Sequence, residues 1–352
     1  MAGRARAVGD DARAAAGGSG APGELAPAVR RELEADTRPS RLLLPFLRSD
    51  PAVRVERDLR YAPGAGKRHL LDVYAPASGV RGAPVLLQIH GGGWVIGHKR
   101  EQALPLMLHL AARGWVCVAA NYRLSPKATF PDHLIDCKRA LAWVRAHVAE
   151  HGGDPDFVVV TGGSAGGHLS ALLALTPNDP EYQPGFEEVD TRVQGCVPFY
   201  GVYDLAGELA HPHHEGFERF WARTVLKRPL AEDPDAYRRA SPVLRIGPHA
   251  PPFFVVHGTH DTLVPVEEAR GFVQRLREVS HEPVAYAELP GAQHAFEVFH
   301  SIRTRHVVHG VARFLAAVRV RAGHGLAQGE AAAPARPAAP APDAARSGGG
   351  LG

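Results

Sequence analysis

Between residues 83 and 318 the chain alternates two kinds of hydrophobic pattern. Short runs that are apolar at nearly every position occur at Val85–His90, Val116–Tyr122, Phe157–Gly162, Cys196–Tyr200, Phe253–His257 and Val284–Leu289. Runs of this length without a polar face are expected for strands covered on both sides. Between them lie segments whose apolar residues recur at helical spacing: Gln102–Ala112, Asp132–Glu150, Ser164–Leu175, Val266–Val279 and Arg303–Val318. Regular alternation of strand and helix predicts an α/β fold, with a mostly parallel central sheet wrapped by helices. Two earlier runs, Arg57–Tyr61 and Leu70–Tyr74, are expected to add antiparallel strands at an edge.

Other stretches break the pattern. Residues 1–22 are rich in Ala, Gly and Arg without hydrophobic periodicity, and residues 326–352 are rich in Ala, Pro and Gly; both read as disordered tails. The folded domain is expected over 23–325. Within it, residues 25–48 are helical in pattern but precede the first strand, and residues 205–240 interrupt the alternation with scattered aromatics, Phe217, Phe220, Trp221 and Tyr237. Both are expected to form a small helical cap over the carboxyl end of the sheet, where open α/β folds bind ligands.

Composition narrows the function classes. The formal charge is only +3 over 352 residues, which gives no reason to expect nucleic acid as a partner. No apolar run is long enough to span a membrane, and the N-terminus has no apolar core of the signal-peptide type. Three cysteines without metal-type spacing suggest neither a disulfide framework nor a metal centre. A cytoplasmic location is the expectation, and a homodimer is compatible with the chain. His211, His213 and His214 cluster beside Glu215, but no further carboxylate or cysteine pair completes a ligand set; a solvated loop is expected there, with no metal.

The candidate chemistry follows strand ends. Gly162-Gly163-Ser164-Ala165-Gly166 sits between an apolar strand and a helical run, the context in which a G-x-S-x-G pattern puts an exposed serine on a strained turn. Ser164 is the expected nucleophile. His90-Gly91-Gly92-Gly93-Trp94 follows another strand; its glycines allow backbone N–H groups to approach a developing oxyanion. Gly92 and Gly93 are the expected donors, joined by Ala165, the residue after the nucleophile. Trp94 and the cap aromatics are expected to line the substrate pocket.

A serine nucleophile needs a histidine base and a carboxylate to orient it. Asp261 follows the strand Phe253–His257, and His294 follows Val284–Leu289, in the chain order Ser, Asp, His. Among 20 histidines, His90, His168, His257, His260 and His300 are weaker bases by position, as Asp204 and Glu297 are weaker acids.

The combination of His90–Gly93, Gly162–Gly166, Asp261 and His294 resembles the hormone-sensitive-lipase family of carboxylesterases. Asn121-Tyr122-Arg123-Leu124-Ser125-Pro126, Phe130-Pro131 and Asp136 resemble it too. The family usually carries an acidic residue before the nucleophile, where Gly163 stands here. That glycine, Gly166-Gly167-His168-Leu169, Arg60-Tyr61 and Leu71-Asp72-Val73-Tyr74 resemble a side branch with acetyl-xylan and feruloyl esterase-like members. The resemblance implies an α/β-hydrolase fold of eight strands, no metal or cofactor, and a small-molecule ester substrate with a short acyl chain. An amidase or formamidase using the same triad, or a non-catalytic receptor on the same fold, are the alternatives the residues leave open.

Overall fold

A computed structural model describes residues 49–209 and 215–324. The tails expected at 1–22 and 326–352, the cap piece at 25–48 and the histidines 211, 213 and 214 lie outside the described residues. The eight strands are β1 (Val53–Arg60), β2 (Leu70–Pro76), β3 (Ala83–Ile89), β4 (Val116–Ala120), β5 (Gly153–Gly163), β6 (Gly195–Phe199), β7 (Phe253–Gly258) and β8 (Val284–Leu289). They form one sheet in the order β1-β2-β4-β3-β5-β6-β7-β8. The pairs β1–β2 and β2–β4 are antiparallel and all others parallel.

The principal helices are α1 (Leu104–Ala111), α2 (Asp132–His147), α3 (Ala165–Leu175), α4 (Glu215–Phe220), α5 (Pro234–Arg239), α6 (Val266–Val279) and α7 (Ile302–Arg321). Successive side chains of a strand point to opposite faces, and both faces here are covered. Val85, Leu87 and Ile89 of β3 belong to the same buried cluster as Leu134 and Leu141 of α2, Leu172 of α3 and Phe272 of α6. Leu86 joins Met107 and Leu110 of α1 and Val311 and Leu315 of α7 on the other face. This is the three-layer architecture of the α/β-hydrolase fold, and it explains why the central strands carry no polar face.

The expected elements recur with three differences. β2 lies between β1 and β4 and is no edge strand. β5 begins at Gly153, before its apolar run. α2 stops at His147 and continues as a 3-10 turn to His151, closed by Gly152 in the left-handed region. The segment after β6 leaves the sheet as expected and contains α4, a π-helical turn at Trp221–Val225 and α5. The cysteines Cys117, Cys137 and Cys196 are buried and free. No helix among the described residues is long and apolar enough to cross a membrane.

Candidate active site

Ser164 occupies the sharp corner between β5 and α3, with φ 57° and ψ −123°. A non-glycine residue in that region is strained by ~1–3 kcal/mol, so the surroundings must hold it. They do so on both sides. The Ser164 N–H donates to the Phe199 carbonyl at the end of β6 (3.0 Å), and its own carbonyl accepts from His168 in α3 (2.9 Å). Ser164 is partly exposed while its neighbours Gly163 and Ala165 are buried, so the hydroxyl is the accessible part of the turn.

Close backbone packing brings the glycine loop to this corner. A Cβ on Gly166 would lie 2.1 Å from the Ile89 carbonyl oxygen and 2.8 Å from that of His90, so only glycine lets α3 dock on the end of β3. Gly91 donates its N–H to Gln102 Oε1 (2.6 Å), and the Gly92 carbonyl accepts from Val95 and Ile96. The N–H groups of Gly92 (φ 111°) and Gly93 (φ 57°) are left without an acceptor among the described residues. Ala165 opens α3, where the first N–H groups of a helix have no partner within it. Phe220 of α4 approaches Gly93, its ring 3.8 Å from where a Cβ would stand.

The segment that resembles the esterase family shapes this loop from below. Tyr122 donates to the His90 carbonyl (3.0 Å) and stacks on the His90 ring at 4.4 Å. His90 Nδ1 contacts the Gly91 carbonyl at 2.7 Å. Burial lowers the His90 pKa to about 3, so the ring is neutral and organises the loop. Arg123 grips Asp136 with two bonds of 2.8 Å.

Beyond the loop, Lys99 is wholly buried, with Nζ 2.6 Å from both Asp58 and Asp72; Arg100 Nε adds a 2.6 Å bond to Asp72. The Lys99 N–H donates to Asn121 (2.7 Å), and Arg68 donates to the Gly97 carbonyl (2.9 Å). The chain after the glycines is thereby tied to β1 and β2. Sequence reading missed this network; a lysine directly after an apolar loop, in a chain with five lysines, was the only trace of it.

Asp261 and His294 meet directly, with His294 Nδ1 2.7 Å from Asp261 Oδ2. The other carboxylate oxygen accepts from the N–H groups of Leu263 (2.9 Å) and Val264 (2.8 Å). His257 Nε2 lies 3.4 Å from Oδ2 and 2.9 Å from the Val264 carbonyl. Burial alone would raise the Asp261 pKa, but hydrogen bonds from His257, His294 and the backbone hold it well below the usual carboxylate range. It is therefore an anion, able to orient an imidazole and balance its positive charge. Asp261 and Ser164 stand on different strand ends. No hydrogen bond joins Ser164 to His294 among the described residues; Tyr200 links their surroundings, its ring 4.5 Å from that of His294 and its hydroxyl beside Gly163. Such bonds are often long without substrate.

The rival residues have other work. His168 is buried, accepts from Trp94 Nε1 at 3.3 Å and reaches the Ala240 carbonyl at 2.7 Å. Trp94 itself is only 3% exposed, and its indole packs edge-on against His168. Asp204 accepts from the Leu209 N–H, and Glu297 accepts from the Tyr200 hydroxyl.

Three buried histidines give the fold an acid limit. Burial lowers the pKa of His90 to about 3 and those of His133 and His168 to about 4. In the unfolded chain each protonates near pH 6.5. Below that value the unfolded state binds more protons, so stability falls as pH falls toward 4. At pH 5 each costs roughly 2 kcal/mol, and the sum is comparable to the whole stability of a typical domain. The melting temperature at pH 5 should lie at least ~10 °C below that at pH 7.5; equal values would contradict the assignment.

The BD-FAE family model matches residues 71–276, more than half of the chain. The probable carboxylic ester hydrolase LipM of Mycobacterium tuberculosis is 58% identical over 255 residues, covering 72% of this chain and 59% of that protein. Esterase LipQ of the same organism is 47% identical over 266 residues, covering 74% and 62%. The chain thus spans about three fifths of the length of these curated relatives. Among solved structures, an esterase of Thermogutta terrifontis with butyrate bound superposes with a TM-score of 0.63 at 27% identity, covering 78% of this chain and 95% of that one. With its glycine loop and serine corner at the carboxyl end of an eight-stranded sheet, the chain belongs to the BD-FAE family.

Proposed function

We propose that this chain is a serine carboxylesterase that hydrolyses small or short-chain carboxylic esters. The observation that carries the reading is the Asp261–His294 hydrogen bond of 2.7 Å, at the same sheet end as a serine held at positive φ. The names of the relatives, carboxylic ester hydrolase and esterase, support it. Ser164 Oγ attacks the ester carbonyl while His294 Nε2 takes its proton. Asp261 holds the imidazole with Nδ1–H facing the carboxylate and balances the cation that forms. The N–H groups of Gly92, Gly93 and Ala165 receive the oxyanion, and removing one such donor typically costs ~3 kcal/mol of barrier. His294 returns the proton to the leaving alcohol. Water then attacks the acyl group on Ser164 by the same route and releases the acid.

The short-chain preference draws on the butyrate-bound relative at 27% identity and on Phe220 approaching Gly93. The purified protein should react stoichiometrically with a fluorophosphonate probe and hydrolyse p-nitrophenyl acetate and butyrate. kcat/KM for the dodecanoate should be at least about tenfold lower, since a pocket that cannot bury the added methylenes gains nothing from them. Labelling without ester turnover would support the amidase alternative, tested with the matched anilide. Absence of both would identify a receptor. Equal or greater activity on the dodecanoate would overturn the short-chain reading alone.

A further inference from the structure

Tyr200 stands one residue past β6 with φ 36°, a conformation that a bulky residue adopts only when its surroundings impose it. The Tyr200 N–H donates to the Val256 carbonyl at 2.8 Å, anchoring the strained residue to β7. Its side chain is fully buried and touches both halves of the site. The ring lies 4.5 Å from the His294 ring at an interplanar angle of 58°. The hydroxyl occupies the space beside Gly163: a Cβ there would stand 2.6 Å from the oxygen. An acidic residue before the nucleophile is thus excluded by Tyr200 itself.

The same hydroxyl donates to Glu297, three residues beyond His294. Glu297 is 6% exposed, and its second oxygen, Oε2, has no partner among the described residues. Glu297 also lines a small cavity of about 10 Å³ beside Gly162 and Gly163, shared with Thr161 and Phe199. Burial pushes the Glu297 pKa up, while the Tyr200 hydrogen bond and His294 act against that rise. A buried carboxyl with one oxygen left unpartnered is costly unless the arrangement serves something else.

We propose that Tyr200 and Glu297 are a positioning pair for His294, clamping the histidine loop to the end of β6 and presenting the imidazole to the serine corner. Asp261 fixes the ring through one nitrogen atom; Tyr200 fixes the ring's tilt and its distance from the Ser164 turn. Glu297 locks Tyr200 and closes the loop from His294 onward. The pair takes no proton from substrate, and its effect reaches the chemistry only through the placement of His294. The inference rests on His294 acting as the base in the reading above.

The test uses Tyr200→Phe, Glu297→Leu and the double variant, with wild type and Ser164→Ala as references; all but Ser164→Ala, which has no serine to label, are measured per competent site by fluorophosphonate titration. Tyr200→Phe leaves the carboxyl buried without its donor, so its melting temperature should fall. The double variant removes both polar groups and should recover much of that loss. A positioning role predicts kcat per competent site about tenfold below wild type in Tyr200→Phe and in the double variant, with KM within about twofold. Glu297→Gln keeps an acceptor for the hydroxyl and should restore most of kcat. Values of kcat per site within about twofold of wild type in both Tyr200→Phe and the double variant would reduce the pair to packing. Wild-type activity that survives Ser164→Ala would instead bring down the triad reading on which the pair depends.

Discussion

Replacing Ser164 with Ala is expected to lower kcat/KM for a short p-nitrophenyl ester by roughly four or more powers of ten, with the loss almost wholly in kcat. In the proposed mechanism the serine forms the covalent acyl intermediate, and the substitution removes one oxygen without altering the turn's hydrogen bonds, which are made by backbone to Phe199 and His168. Substrate binding and oxyanion contacts remain, which is why KM should move little. His294→Ala should cost a comparable amount, and Ser164→Ala/His294→Ala should be no worse than either alone, because nucleophile and base act as one unit. Asp261→Asn should cost less than removal of Ser164. It keeps the shape but removes the anion that His294 and His257 both face, at 2.7 Å and 3.4 Å. Additive losses would mean that the three side chains do not work together, and an undiminished Ser164→Ala would refute the nucleophile.

The second large effect is expected on stability. Lys99→Met should lower the unfolding free energy by about 3 kcal/mol and the melting temperature by about 10 °C. Lys99 and Asp72 are both fully buried, so deleting the ammonium leaves a carboxylate that water cannot reach, held by Arg100, by the Asp58 N–H (2.8 Å) and, at 3.7 Å, by Arg57. Exposed pairs of the same kind, such as Arg192–Asp190, contribute little because solvent screens them and their side chains lose entropy in pairing. The loss should exceed that of Arg192→Met severalfold. Replacing both members, Lys99→Met with Asp72→Leu, should recover part of the stability. It should not recover ester hydrolysis in full, because the segment after the glycine loop would lose its side-chain ties to β2 and keep only the Arg100–Asp58 bond to β1. Thermal melts and p-nitrophenyl acetate assays on the three proteins read both effects. A Lys99→Met shift of less than ~2 °C would show that the remaining partners of Asp72 suffice without the ammonium.

Much of the fold was legible along the chain. Strands covered on both faces read as unbroken apolar runs, as at Val116–Ala120, and amphipathic helices read by their spacing, as at Val266–Val279. Elements without such a signal were misplaced. The start of β5 at Gly153–Asp156 is polar, and its pairing with Ala83 depends on a neighbouring strand. β2 reads as an edge strand because periodicity carries no record of what pairs on either side. The glycine loop, the serine corner and the Asp261–His294 positions were legible because each follows a strand's carboxyl end, where this architecture collects its side chains. Nothing in the sequence tells whether an aromatic beside a glycine loop turns its ring outward or, as Trp94 does, toward His168.

Sequence alone therefore determined what could be written locally: which segments bury both faces, where the chain turns too tightly for any residue but glycine, and which reactive side chains end each strand. Only the tertiary structure decided which of those side chains meet. Asp261 finds His294 across 33 positions, Tyr200 finds Glu297 across 97, and Lys99 finds Asp58 across 41. The physical reason is that periodicity and turn chemistry act over a few residues, whereas these contacts are set by strand order and by the packing of loops at one end of the sheet.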